Sequence, residues 1–301
     1  MDPATTRDGE PRAWVDLREL RTLWFNTGTL CNLTCRTCYI ESSPSNDRLS
    51  WLAAADVETF LDEALALPTP PTTIGFTGGE PFMNPDFIDM LAAALERDFE
   101  VLVLTNAMRP MMKCAAEFAA LHARYPARIT VRVSMDHYTA ELHEQERGRR
   151  SFAPMLRGLR WLVETGVRVH IAGRTCWDES EAELRAGYAA LFDELRLPVD
   201  TLDSASLVLF PDMDVDADVP EITTACWGIL GVNPDAMMCA SSRMVVKRRE
   251  SDRPVVLACT LITDHPGFEL GKTLTEAARS IALNHPHCAR FCVLGGGSCS
   301  A

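Results

Sequence analysis

The chain has 301 residues, of which 47% are hydrophobic, so it can form one large or two modest globular domains. Its 42 acidic and 29 basic side chains give a net charge of −13, which argues against electrostatic binding to nucleic acid or to an anionic membrane. The N-terminal residues lack an apolar signal segment, and no run of about 18 apolar residues occurs, so we expect a cytoplasmic protein without a membrane partner.

Short β-type runs alternate with helical patterns from residue 22 to about residue 211, after an N-terminal extension of residues 1–21. Such alternation is typical of parallel strands joined by crossover helices, so the sequence predicts an α/β fold. The predicted strands cover residues 22–26, 73–77, 100–105, 129–134, 168–173 and 202–209. The predicted helices cover residues 54–67, 86–97, 110–124, 152–165 and 179–195.

Three cysteines follow the first predicted strand: Cys31, Cys35 and Cys38, in a C-x3-C-x2-C spacing. Thiolates are the soft ligands that iron–sulfur clusters select, and three of them leave one iron of a four-iron cluster open to a small molecule. In a reducing compartment the eleven cysteines favour metal ligation over disulfides. The alternative is a structural zinc site completed by a distant residue, although zinc ligands usually come as two close cysteine pairs.

A glycine turn ends the second predicted strand, where Gly78, Gly79 and Glu80 precede Pro81. The carboxylate of Glu80 suits an ammonium group, and residues without side chains let a backbone approach a ligand closely. Taken alone, this turn could equally be an ordinary connection between a strand and a helix. It follows a strand, as the cysteine triplet does, so both motifs fall on the same edge of the predicted sheet.

The cysteine triplet and the GGEP turn together resemble the signature of the radical S-adenosylmethionine (radical SAM) superfamily. The resemblance implies a partial (β/α)6 TIM-like barrel, a 4Fe-4S cluster on the triplet, and SAM at the open iron. It also implies that reductive cleavage of SAM gives a 5′-deoxyadenosyl radical, which abstracts hydrogen from a substrate. Glu80 would contact the amino group of SAM. Thr37 replaces the usual aromatic residue beside the adenine, and Tyr39 is the candidate to share that role.

Further cofactor-binding residues follow from the same resemblance. Asn106 lies in a turn similar to the family's TNG turn, although Ala107 replaces the glycine. Ser134 ends the fourth predicted strand and corresponds to a serine near the ribose or carboxylate of SAM. Arg147 corresponds to an arginine that binds the SAM carboxylate, and its planar guanidinium suits a carboxylate. The structural alternatives are a helix cap for Ser134 and a solvated charge for Arg147.

A second group of cysteines lies in the C-terminal part of the chain, after an acidic linker of residues 212–225. Its members are Cys226, Cys239, Cys259, Cys288, Cys292 and Cys299. A predicted hairpin, with strands 244–247 and 255–259, and a predicted helix over 274–283 separate them. Their order resembles the SPASM/twitch extension of radical SAM enzymes, which implies a small cysteine-rich auxiliary domain over 226–301.

This resemblance implies an auxiliary 4Fe-4S cluster. We expect one such cluster, with Cys226, Cys239 and Cys259 as ligands, together with one of the last three cysteines. A zinc site, reduced free thiols, or two clusters with open irons are the alternatives. Cys176 follows the fifth predicted strand and could donate hydrogen to a substrate radical; the alternative is a buried inert thiol.

The predicted function is that of a radical SAM enzyme, an oxidoreductase or peptide-modifying enzyme that abstracts hydrogen from a peptide. Oxidation or rearrangement of a small molecule is the alternative within the family. An electron donor such as flavodoxin or ferredoxin would be the protein partner, and no nucleic acid is expected. The alternative from another class is a non-catalytic iron–sulfur or zinc protein that senses redox state, although such a sensor has no need of the GGEP turn or Arg147.

Overall fold

Parallel strands with crossover helices build most of the computed structural model, which describes residues 1–211 and 218–297. The strands are β1 (Trp14–Val15), β2 (Thr22–Asn26), β3 (Thr73–Thr77), β4 (Glu100–Thr105), β5 (Ile129–Ser134), β6 (Arg168–Arg174), β7 (Leu207–Phe210), β8 (Ser242–Val246), β9 (Val255–Leu257), β10 (Glu269–Gly271) and β11 (Ile281–Ala282). The α-helices are α1 (Ala54–Leu65), α2 (Phe87–Glu96), α3 (Arg109–Lys113), α4 (Ala115–Arg124), α5 (Ala140–Arg147), α6 (Phe152–Glu164), α7 (Glu181–Leu195) and α8 (Cys226–Leu230). A π-helix covers Cys288–Val293.

One nine-stranded sheet has the order β10-β9-β8-β2-β3-β4-β5-β6-β7. Strands β2 to β7 pair in parallel in chain order, as strands joined by crossover helices do. Most of their central residues are apolar and buried, as expected for parallel strands that crossover helices cover, and Arg132 in β5 is a buried exception. Strands β10 and β7 lie at opposite edges, so the sheet is open. The predicted α/β fold with a partial barrel is confirmed.

The C-terminal part of the chain extends this sheet, which the sequence did not indicate. Strand β8 pairs in parallel with β2, with Trp24 opposite Met244. Strands β8 and β9 then form the predicted antiparallel hairpin, and β10 adds the outermost strand. The predicted division between a barrel (22–211) and an auxiliary domain (226–301) therefore crosses a continuous sheet, and it stays a prediction. Residues 212–217 of the predicted acidic linker lie outside the described residues.

The predicted helix over 274–283 is wrong. Residues 274–277 form a turn, and the chain then enters β11, which pairs antiparallel with β1 near the N-terminus. The carbonyl oxygens of Ala277 and Arg279 accept hydrogen bonds from the Arg243 side chain at 2.9 and 3.0 Å. These tertiary partners replace the backbone hydrogen bonds that a helix would have made, so contacts distant in sequence override the local helical pattern.

Smaller differences have local causes. The predicted strand over 202–209 begins only at Leu207, because the Asp203 carboxylate accepts hydrogen bonds from the backbone amides of Ala205 and Ser206 and forms a turn. The predicted helix over 110–124 is divided into α3 and α4 at Cys114. Within residues 1–211 and 218–297, no helix combines the length and the apolar character needed to cross a membrane.

Candidate active site

A cleft with an empty volume of ≈ 1060 Å³ opens at the C-terminal ends of the parallel strands. The last residue of each strand from β2 to β7 lines it, namely Asn26, Thr77, Thr105, Ser134, Arg174 and Phe210. Parallel strands place their carboxyl ends at one edge, so loops that follow different strands meet there. All three cysteines of the triplet line the same cleft.

The loop that carries the cysteine triplet is held by the GGEP turn. The backbone amide of Gly79 donates to the carbonyl of Gly28 at 2.8 Å, and the amide of Glu80 donates to the carbonyl of Leu30 at 3.1 Å. A Cβ atom on Gly79 would lie 2.1 Å from the Leu30 carbonyl oxygen, and Gly78 has a φ of 137°. Glycine is therefore required here by the approach of the cysteine loop, although both glycines also line the cleft.

Helix α5 provides a second anchor for the same loop, which the sequence analysis missed. The buried Glu146 accepts a hydrogen bond from the Thr37 hydroxyl at 2.8 Å and lies 3.2 Å from the Arg36 guanidinium. The Glu146 carbonyl also accepts a hydrogen bond from the Arg36 amide at 2.8 Å. Thr37, which departs from the family pattern, thus uses its hydroxyl to attach the cysteine loop to α5.

The cleft wall offers polar groups to a ligand. Four buried side-chain atoms that line it have no hydrogen-bond partner within the described chain: Asn26 Nδ2, Ser42 Oγ, Arg174 Nη1 and Thr260 Oγ1. Buried polar groups are nearly always satisfied, so this set fits a polar ligand that carries charged groups. Burial also raises the pKa of the Cys31 thiol to about 12 and raises that of Cys35, as expected for thiols enclosed without a metal. The donor set therefore fits both SAM and a thiolate-bound cluster.

Glu80 is buried behind the lining residues, with 2% of its surface exposed. Its Oε1 accepts a hydrogen bond from the Thr105 hydroxyl at 2.7 Å, and its Oε2 accepts one from the Asn106 amide at 2.9 Å. The next residue, Ala107, has a φ of 53°, in the left-handed region that favours the glycine it replaces. Glu80 therefore fixes the turn after β4, and Asn106 in that turn lines the cleft.

Burial raises the pKa of Glu80 to about 7 from its ordinary value of 4.5, although the hydrogen bonds from Asn106 and Thr105 oppose the rise. The folded chain then holds this proton more tightly than the unfolded chain, so the free energy of unfolding falls as the pH rises from about 4.5 to about 7. The shift corresponds to a loss on the order of 3 kcal/mol.

Replacing Glu80 with glutamine removes this titration, so we expect the free energy of unfolding to fall less steeply with pH in Glu80→Gln than in the wild type. Urea denaturation of the ligand-free protein at about pH 5 and about pH 8 measures the difference in slope. Glu58→Gln, an exposed change on α1, should keep the wild-type slope. Equal slopes in the wild type and Glu80→Gln would contradict the buried titration.

Two arginines share one buried carboxylate on the opposite wall of the cleft. Asp136 accepts hydrogen bonds from Nε and Nη2 of Arg147 at 2.7 and 3.1 Å, and from Nε of Arg174 at 3.3 Å. Arg174 also donates from Nη2 to the Thr37 carbonyl at 3.0 Å, and its guanidinium carbon lies 4.8 Å from the centroid of the Tyr39 ring. The two cations hold the pKa of Asp136 below its usual value, against the effect of burial.

The structure brings most of the residues predicted from sequence together. Tyr39, Asn106, Ser134 and Arg147 line the cleft with the cysteines and glycines described above. Arg174 was missed, although its position at the end of a predicted parallel strand was a signal that could have identified it. Cys176 lies two residues beyond Arg174 and is partly buried, and its role as a hydrogen donor stays a prediction.

A second, smaller cavity lies among the segments that precede and follow the C-terminal hairpin. Four cysteines line it: Cys239, Cys259, Cys288 and Cys292. Burial raises the pKa of the Cys239 thiol to about 12, and it also raises the pKa values of the Cys259 and Cys288 thiols. Cys226 lies apart from this cavity, where its Sγ accepts a hydrogen bond from the Thr223 amide at 3.4 Å. Cys299 lies outside the described residues.

A thin wall separates the two cavities. Cys259 lines the second cavity, Thr260 lines the cleft, and Leu261 lines both. The rings of Tyr39 and His287, each next to a cysteine of one group, contact edge to face at a centroid distance of 6.4 Å. Within the described residues, no three histidine, cysteine or acidic side chains are arranged to hold a single metal ion.

A family model and several known proteins match part of this chain. A family model described as the radical SAM superfamily matches residues 25–186, more than half of the chain. The subtilosin biosynthesis protein AlbA of Bacillus subtilis is 33% identical over 144 residues, which cover 47% of this chain and 30% of AlbA. The mycofactocin maturase MftC of Mycobacterium ulcerans is 32% identical over 136 residues, which cover 45% of this chain and 34% of MftC. The matches thus span about a third of these relatives.

Solved structures show the same fold at lower sequence identity. SuiB of Streptococcus suis bound to S-adenosylmethionine superposes with a TM-score of 0.62 at 15% identity, covering 84% of this chain and 63% of SuiB. SuiB bound to its precursor peptide SuiA gives a TM-score of 0.53 at 18% identity, covering 66% of this chain and 41% of that one. The chain therefore belongs to the radical SAM superfamily, whose members use a 4Fe-4S cluster and S-adenosylmethionine.

Proposed function

We propose that this chain reductively cleaves S-adenosylmethionine and uses the resulting radical to abstract hydrogen from a peptide. The observation that carries the proposal is the single cleft that joins the cysteine triplet, the GGEP turn and the pair of arginines on Asp136. Bound to Cys31, Cys35 and Cys38, a 4Fe-4S cluster would supply the electron that cleaves SAM. Formation of 5′-deoxyadenosine from SAM by the anaerobically reconstituted protein tests this function.

The protein's own residues bind and orient SAM. The buried carboxylate of Glu80, held by Thr105 and Asn106, would balance the positive charge of the amino group of the methionine moiety. Ser134 and Tyr39 line the cleft where the ribose and the adenine would lie. The largely buried walls exclude water, which would otherwise react with a radical.

The charges on the opposite wall suit a carboxylate. Arg147, which is largely buried, and Arg174, which is buried, bring two cations to one carboxylate, Asp136, so one positive charge is left over. Arg147 already uses two of its nitrogens on Asp136, whereas Arg174 keeps Nη1 unpartnered in the cleft wall. We infer that the carboxylate of SAM binds between the two guanidinium groups, with Asp136 holding both in position.

Replacing either arginine with glutamine is expected to weaken SAM binding. The loss of a charged hydrogen bond costs about 1.5–3 kcal/mol, or one to two decades in the dissociation constant. Decarboxylated SAM, which lacks the group in question, should bind Arg174→Gln and Arg147→Gln as it binds the wild type. Calorimetry with both ligands measures the difference, and Arg160→Gln, an exposed change on α6, is the control. Equal weakening of both ligands would place the carboxylate elsewhere.

The names of the relatives support a peptide substrate. AlbA is named for bacteriocin biosynthesis, MftC is named a maturase, and SuiB was solved with a precursor peptide. An electron donor such as flavodoxin or ferredoxin would reduce the cluster, and Cys176 would be a hydrogen donor to the substrate radical. A non-catalytic sensor needs thiolates. It does not need a cleft with the buried carboxylates Glu80 and Asp136 and with unpartnered hydrogen-bonding groups.

We further propose that Cys239, Cys259, Cys288 and Cys292 hold an auxiliary 4Fe-4S cluster. Their shared cavity supports this set over the set predicted from sequence, which included Cys226. Four protein thiolates would ligate all irons of the cluster, so it would serve electron transfer rather than direct binding of the substrate. Leu261 lines both cavities, so such a cluster would lie next to the cleft and could accept an electron from a substrate radical.

A further inference from the structure

Arg243, on strand β8, is a fully buried cation with 1% of its surface exposed. All its hydrogen bonds in the described chain go to backbone carbonyl groups. Nε donates to Ala277, Nη1 donates to Cys239 and Ser242, and Nη2 donates to Arg279, at 2.6 to 3.0 Å. The side chain therefore connects the segment before β8 with the turn before β11.

No carboxylate within residues 1–211 and 218–297 forms an ion pair with Arg243, in contrast to three other arginines that are buried or largely buried. Arg12, which is equally buried, pairs with Glu221, and Arg147 and Arg174 pair with Asp136. Carbonyl oxygens satisfy the hydrogen bonds of a guanidinium but carry only partial charge. Burying a charge without an opposite charge costs free energy. An anion close to Arg243 would offset that cost.

The cavity with four cysteines lies next to this cation. Nη1 of Arg243 is 2.6 Å from the carbonyl oxygen of Cys239, and the side chain of Cys239 lines the cavity. Four thiolates around an iron–sulfur core leave the whole assembly anionic, and its reduction adds a further negative charge. A positive charge fixed on one side of such a centre favours the reduced form, because net charge is one of the factors that set the reduction potential.

We propose that Arg243 is the built-in counter-charge of the C-terminal metal–thiolate centre and raises its reduction potential. The inference rests on the auxiliary cluster proposed above. A higher potential would make the centre a better acceptor for an electron from a substrate radical in the neighbouring cleft. Arg243 thereby acts through the centre, as a tuning residue that does not touch the substrate.

The test uses the 301-residue chain in which Cys31, Cys35 and Cys38 are replaced with alanine, so that only the C-terminal centre binds iron. Arg243→Gln removes the charge and retains a donor, whereas Arg243→Lys retains the charge and loses the planar arrangement of donors. Arg279→Gln removes an exposed cation nearby and is the matched control. The midpoint potential is read by electron paramagnetic resonance during a redox titration.

We expect Arg243→Gln to shift the reduction equilibrium at least tenfold toward the oxidised form, about 59 mV for one electron, with Arg243→Lys and Arg279→Gln near the parent potential. If Arg243→Gln binds no iron, retention of iron at the parent potential in Arg243→Lys supports the counter-charge. Bound iron with an unchanged potential in Arg243→Gln overturns the inference, as does loss of iron from both variants, since Arg243 would then be a structural cross-link. Absence of iron from the parent protein would instead refute the auxiliary cluster itself.

Discussion

Replacing Cys31, Cys35 and Cys38 together with alanine is expected to abolish the formation of 5′-deoxyadenosine while leaving about four irons per chain in the C-terminal centre. Among residues 1–211 and 218–297, these are the three cysteines that line the cleft, so their removal leaves no thiolate there to hold a cluster. The four cysteines of the second cavity, Cys239, Cys259, Cys288 and Cys292, line that cavity and not the cleft, so we do not expect them to replace the triplet.

Iron analysis and chromatography of the nucleoside product measure both parts of this prediction. Cys114→Ala is the matched control, because Cys114 lies between α3 and α4 and lines neither the cleft nor the second cavity. It should retain all iron and all activity. Turnover of SAM by the triple variant at the wild-type rate would refute the role of the triplet.

Replacing Cys239 and Cys259 together should separate SAM cleavage from modification of the substrate. The wild type should hold about eight irons, as two four-iron clusters require, and the double variant about four. SAM cleavage should continue in the intact cleft, whereas product formation should stop because the substrate radical has lost its electron acceptor. Iron analysis and product analysis by mass spectrometry are the measurements.

Cys226→Ala distinguishes the ligand set found in the structure from the one expected from sequence. Cys226 lies outside the second cavity, so this variant should keep about eight irons. If Cys226→Ala lost about half of its iron, Cys226 would be a ligand, as the sequence predicted. If the wild-type protein held only about four irons, or about four irons and one zinc, the auxiliary-cluster assignment would be wrong. The C-terminal cysteines would then have a structural role.

The sequence contained enough information to place the cleft, because the parallel strands are short apolar runs with clear ends. Strands β2, β3, β4 and β5 have the predicted boundaries, and the cysteine triplet and GGEP turn follow two of them. The carboxyl ends of parallel strands lie at the same edge of a sheet. The approximate position of a site can therefore be predicted without knowledge of side-chain contacts.

Pairings between distant segments could not be predicted in this way. The contact of β8 with β2 joins residues more than two hundred positions apart, and β11 gains its strand partner only from the N-terminal extension. A local helical pattern over 274–283 therefore gave the wrong element. The same limit applies to the cysteines, since spacing alone did not reveal that Cys292 lines the second cavity and Cys226 does not.

The roles of the glycines and of Arg174 depended on three-dimensional contacts as well. A glycine turn next to a ligand cleft suggests close approach of a ligand, yet the space at Gly79 is taken by the backbone of Leu30. Arg174 ends a predicted parallel strand, but its unpartnered nitrogen in the cleft wall, which makes it a candidate binding residue, is visible only in the structure.

The central claim is that this cleft converts SAM into 5′-deoxyadenosine, and anaerobic incubation of the reconstituted chain with SAM and dithionite tests it most directly. Chromatography with mass detection should show 5′-deoxyadenosine that accumulates with time, even without a peptide, and none when iron or reductant is omitted. Protein that carries its full iron content, binds SAM and still forms no 5′-deoxyadenosine would contradict the account.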